Sequence, residues 1–117
     1  MLQEKRSAPV RVFVVWEPVI LSDWNAPTRK ALSRIPDSRV AQFWDKKRSL
    51  SEKIRETARA APQHILGQKR LKDDSIVWDF VAVYPPGIKW DRSFPEAKFA
   101  GAPVVDAIAE VRNNLPD

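Results

Sequence analysis

Glu17, Asp23, Trp24 and Asn25 lie in the segment that leads from a strand-like run, ending at Trp16, to a helix opening near Pro27. Trp44 and Asp45 close a second strand-like run. Carboxylates, an amide and indole rings at such junctions can recognise a polar ligand. The same residues have a plainer use: Asn25 as a helix cap, the tryptophans as plugs at the end of a core, and the acids as solvated charges. Acid–base catalysis requires a second positioned group, and the sequence supplies none. His64 is the only histidine, and no GxSxG-type nucleophile turn accompanies it, so the histidine of "PQHIL" reads as a surface or packing residue. Asp79 interrupts an apolar run. A bare buried carboxylate is costly, so it must be paired, hydrogen-bonded or at the sheet margin; an ion pair with an arginine is expected, Arg11 being one possibility. No metal-ligand spacing occurs, and Asp73–Asp74 reads as a solvated loop pair. The chain has no cysteine, which excludes disulfides, thiolate catalysis and zinc–sulfur sites. No catalytic residue, metal or cofactor is assigned.

The elements that would position these residues are set by periodicity and breakers. "RVFVVW", Arg11 to Trp16, is a nearly unbroken apolar run of the kind that forms a strand covered on both faces. A helix is predicted from Pro27 to Ile35, with Ala31, Leu32 and Ile35 on one side, stopped by Pro36. "RVAQFW", Arg39 to Trp44, is a more polar strand, as an edge would be. "SLSE" at Ser49 to Glu52 reads as a capping box. Behind it, Leu50, Ile54, Ala58 and Ala61 line one helical face up to Pro62. "IVWDFVAVY", Ile76 to Tyr84, predicts a long third strand, and "PPG" at Pro85–Gly87 a turn. A short strand over Ala97–Ala100 and a helix opened by Pro103, with Val104, Ile108, Val111 and Leu115 on one face, complete the order β-α-β-α-β-β-α.

The two most apolar strands, first and third, belong at the centre of a sheet. A right-handed crossover makes the first two strands parallel, and the last two are expected to be antiparallel. The pattern is that of an α/β fold and resembles the thioredoxin-like fold in its minimal form: one domain over residues 10–115 after a tail of 1–9, with a four-stranded mixed sheet of order 2-1-3-4 and helices on both faces. At the level of motifs, "VWEPVILSDW", "RVAQFWD", "WDFVAVYPPG" and "GAPVVD" resemble a group of small bacterial thioredoxin-like proteins with no assigned activity. In redox-active thioredoxins the dithiol sits at the position of Glu17–Pro27, which here has no sulfur. The cis-proline that precedes their third strand has no counterpart in "KDDSIVW". The resemblance therefore implies a scaffold without disulfide exchange, acting as a binding or structural module for a protein or small molecule. In that scaffold Glu17, Asp23, Trp24, Asn25, Trp44 and Asp45 share the crevice at the strand ends, beside a helix N-terminus suited to an anion.

Size and charge frame the remaining alternatives. With 117 residues, 44% apolar and 30% charged, the chain has the composition of a globular domain. "MLQEKRSAP" has no apolar signal-peptide core, and no apolar run approaches the roughly 20 residues of a membrane span, so a soluble, non-membrane protein is expected. The net charge of +5 is concentrated between Lys46 and Lys72, where nine basic residues face two acidic ones. Lys46, Lys47, Arg48, Lys53, Arg55 and Arg59 are the candidates for attracting nucleic acid or another polyanion. Against that stands the absence of any aromatic residue in the basic segment, since single-strand binders interleave cations with exposed rings.

Overall fold

The computed structural model describes residues 2–18, 25–66, 77 and 79–117. It is an α/β chain whose backbone gathers into two compact units, Met1–Ser49 with Pro116–Asp117, and Leu50–Leu115.

In the first unit, β1 (Val12–Trp16) pairs in parallel with β2 (Val40–Trp44), in the register Val12↔Val40 to Trp16↔Trp44. The ladder continues past both ends: Val12 N–H donates to Arg39 O at 3.0 Å and Asp45 N–H to Trp16 O at 2.8 Å. Between the strands, α1 covers only Arg29–Leu32. Its cap is Thr28, whose Oγ1 accepts the Ala31 N–H at 3.2 Å. The helix is shorter than the predicted 27–35 for two local reasons. Ser33 Oγ turns back onto Lys30 O at 2.8 Å, a bond that competes with helix propagation. Pro36 also disfavours helical geometry at Ile35, so Arg34 and Ile35 make tighter i→i−3 bonds instead.

Arg39 fastens residues 2–8 to this ribbon. Its guanidinium donates to Asp37 through Nε at 2.9 Å and Nη2 at 2.6 Å. It also donates to the carbonyls of Leu2 (2.9 Å), Lys5 (2.7 Å) and Ala8 (3.2 Å). Ala8 is buried as a result. Lys5 Nζ in turn donates to Asp117 Oδ1 at 3.1 Å.

In the second unit, α2 (Ser49–Ala60) and a 3-10 turn (Pro62–Ile65) precede β3 (Val81–Val83), β4 (Phe99–Gly101) and α3 (Val104–Asn114). Pro62 ends α2 as the sequence predicts. The helical face that buries Ile54 and Ala58 meets Ile65 and Phe94, with Leu50, Val77, Phe80 and Tyr84 packed around them. β3 and β4 are antiparallel, Val81↔Gly101 to Val83↔Phe99. α3 lies against this pair through Ala107 and Val111. Gly101 makes that approach possible, because a Cβ there would stand 3.1 Å from Ala107 Cβ and from the Phe99 ring. The inward position falls to Ala107, while Ile108 lies on the exposed rim at 36%. Gly87, with φ 81, supplies the left-handed residue of the Pro85–Gly87 turn.

The α/β class and both strand pairings match the sequence reading; the single four-stranded sheet does not. Among the described residues the strands form two two-stranded sheets, β1-β2 and β3-β4, in place of one sheet of order 2-1-3-4 with helices on both its faces. The reason lies in the third strand, expected over Ile76–Tyr84. Asp79 has φ 53, a left-handed conformation that breaks an extended run and that aspartate tolerates better than most residues. Only three residues beyond it, Val81–Val83, remain as strand.

The Arg39 bonds have two measurable consequences. Arg39 hydrogen bonds, from the side chain first and then the backbone N–H, hold the Asp37 carboxyl at about 2 rather than its ordinary 3.8. A carboxyl depressed on folding contributes fully above its unfolded pKa and loses that contribution as pH falls towards its folded value. Thermal melts of the native chain should therefore lose an increment of Tm as pH falls from about 3.8 to about 2, and those of Asp37→Asn should lack that increment. Arg39→Gln should accelerate tryptic cleavage after Lys5 and Arg6, which equal cleavage rates in the two proteins would contradict.

Candidate functional site

At the carboxyl end of the β1-β2 ribbon, Trp16 and Trp44 lie opposite one another in register. Gln42 organises this end. Its Oε1 accepts the Trp16 Nε1–H at 3.0 Å, and its Nε2 donates to Leu32 O at 2.9 Å, tying α1 to the strand pair. The polarity that makes β2 look like an edge is thus directed into the unit, at Gln42 as at Arg39. Glu17 and Asp45 come directly after the two strands; both are half-buried and both are engaged.

The structure therefore brings Glu17, Trp44 and Asp45 to one end of the ribbon. Asn25 is exposed, and the helix cap expected of it is provided by Thr28. Asp23 and Trp24 lie outside the described residues. The anion-binding helix N-terminus is not realised. α1 has only four residues, and its Ala31 N–H is already taken by Thr28, so little dipole accumulates.

The outer face of the ribbon carries a feature the sequence reading did not find. Side chains alternate along a strand, so Phe13 and Val15 of β1 share a face with Ala41 and Phe43 of β2. Phe13 is 64% and Phe43 52% exposed. Their ring centroids are 6.2 Å apart, with planes tilted by 34°. An unbroken apolar run predicts cover on both faces, and here one face is open. No residue type in "RVFVVW" distinguishes the outward phenylalanine from its inward neighbours, so no signal in that segment pointed to it.

The basic segment divides in the same way. Lys46, Lys47 and Arg48 are exposed in the turn after β2, with Arg48 at φ 57. On α2, Lys53 pairs with Glu56 at 3.0 Å. Arg55 is half-buried and Arg59 exposed, and both are engaged. Lys69, Arg70 and Lys72 lie outside the described residues.

The other chemical candidates are structural. His64 Nδ1 is 2.8 Å from Phe94 O; a carbonyl only accepts, so Nδ1 carries the proton. The His64 carbonyl accepts the Ala97 N–H at 2.8 Å, and the residue thus clamps the 94–97 segment. Asp79 is exposed and takes part in no ion pair among the described residues, because solvent removes the need for the expected arginine, Arg11 or another. Tyr84 Oη is buried without a hydrogen-bond partner among the described residues, and burial raises its phenol pKa. Trp90 is 52% exposed and meets Phe94 edge-on at 4.5 Å. Trp78, Asp73 and Asp74 lie outside the described residues. Among the described residues no group of three His, Asp or Glu side chains is placed to hold a metal. No helix among them is long and apolar enough to cross a membrane.

No protein-family model matches this chain, and neither a curated protein nor a solved structure matches it.

Gln42→Leu removes both bonds at the ribbon end and leaves the Trp16 N–H and the Leu32 carbonyl unmatched. Urea unfolding should show a loss of about 1–3 kcal/mol. A variant as stable as the native chain would remove Gln42 from this role.

Proposed function

We propose that the chain is a cysteine-free, thioredoxin-like binding module without thiol–disulfide activity, and that its contact surface belongs to the β1-β2 ribbon. The observation that carries this reading is the open outer face with Phe13 and Phe43 in solvent. A parallel strand pair is ordinarily covered on both sides, and large exposed rings that adjoin one another, as Phe13 and Phe43 do, form the kind of contiguous apolar patch that marks an interaction surface. The adjoining strand end, with Glu17, Trp44 and Asp45, supplies polar groups at its margin.

Three further facts support the reading. The chain has no sulfur nucleophile. The parallel β1-β2 and antiparallel β3-β4 pairings agree with the element order of the resemblance. His64, the most versatile acid–base group in the sequence, is engaged in holding backbone.

A panel of extended peptides and small anions, titrated into isotope-labelled protein, tests the proposal by NMR. Amide shifts should move at Val12–Glu17 and Val40–Asp45 with at least one member of the panel. If every member leaves those amides unmoved while the protein remains folded, the reading is wrong.

A further inference from the structure

Building on that reading of the ribbon as a contact surface, we infer that the Phe13–Phe43 face is a stacking platform for single-stranded nucleic acid. Within the basic segment Lys46–Lys72 no aromatic residue occurs, which speaks against nucleic-acid binding by that segment alone. The fold removes that objection. Phe43 is three residues before Lys46, and strand pairing brings the Phe13 ring to 6.2 Å from that of Phe43. Arg11, exposed, directly precedes β1 and stands two residues before Phe13. Two open rings therefore lie between exposed cations: Arg11 at one end, and Lys46, Lys47 and Arg48 at the other.

The charge of the unit agrees. Residues 1–49 with 116–117 hold ten basic and six acidic side chains, a net +4 of the whole chain's +5. Among the described residues of this unit the exposed acids are Glu4 and Asp117, Asp117 is bonded to Lys5, and Glu17 and Asp45 at the strand end are half-buried and engaged. An unstacked base presents a π-face to each ring, and the flanking cations meet the phosphates on either side. The same charge disfavours a second copy of this chain as occupant, because a two-fold contact through this face would set like cations against one another. Duplex DNA buries its base faces, so the platform selects single strands.

Fluorescence anisotropy with a labelled short oligothymidylate tests the inference on the full chain. Binding should be tighter than to a duplex of equal length. Phe13→Leu with Phe43→Leu keeps both positions apolar and should weaken binding by roughly ten-fold or more, at 1–3 kcal/mol per stacked base. Phe13→Tyr with Phe43→Tyr should retain it. Lys46→Gln with Lys47→Gln should make the salt dependence of log K shallower by about 1.4, at about 0.7 per phosphate contact. Affinity indifferent to the leucine pair, or equal for single strand and duplex, overturns the inference. So does a dimer in sedimentation that the leucine pair dissolves. If the oligonucleotide does not bind but a peptide still moves the ribbon amides in the NMR titration, this inference fails and the binding-module reading stands. If neither binds, both fail.

Discussion

The first unit depends on how one guanidinium is satisfied. A lone parallel strand pair is a weak element, since two strands without further cover are marginal in water. Arg39 compensates by gathering a carboxylate and three backbone carbonyls around a single planar fork. The Asp37 pairing is bidentate, the geometry in which a carboxylate–arginine contact is strongest. The three carbonyls come from Leu2, Lys5 and Ala8, so one side chain ties the start of the chain to the start of β2. A lysine could not replace it, because a compact ammonium lacks the five donors and the fixed fork that these acceptors require.

Much of the fold was legible because the signals were local. Pro62 ends α2, Pro85–Gly87 turns, and the Leu50–Ile54–Ala58 stripe faces inward as its spacing demands. Both strand pairings could be read from apolar runs and connection lengths. What was not legible depends on backbone conformation or on partners distant in sequence. Asp79 reads as a polar residue in a long strand, whereas its left-handed φ breaks that strand. Arg39 and Gln42 read as solvent-facing edge residues, whereas their acceptors lie in other segments. In α3 the buried position passed from Ile108 to the smaller Ala107, because the close approach over Gly101 leaves room only for a methyl group.

The candidate site was legible in part. Glu17, Trp44 and Asp45 do meet at one strand end, as parallel pairing requires. Phe13 and Phe43 could not be singled out. Alternation places them on a common face, but only the absence of a covering layer makes that face a surface. The basic turn at Lys46–Arg48 and the neighbouring Phe43 were visible in the sequence, while the Phe13 ring joins them only when β1 and β2 pair.

The end of the 3-10 turn carries a further consequence. Leu66 adopts φ 54 and ψ 35 and is 47% exposed, in a backbone setting that costs a residue carrying a Cβ about 1–2 kcal/mol. Its own N–H still reaches back to Gln63 O at 3.2 Å, so the bend is kept although the residue type suits it poorly. Glycine or asparagine fits that geometry more comfortably. The position is therefore a natural handle for engineering a hardier variant of the protein, remote in sequence from the aromatic ribbon.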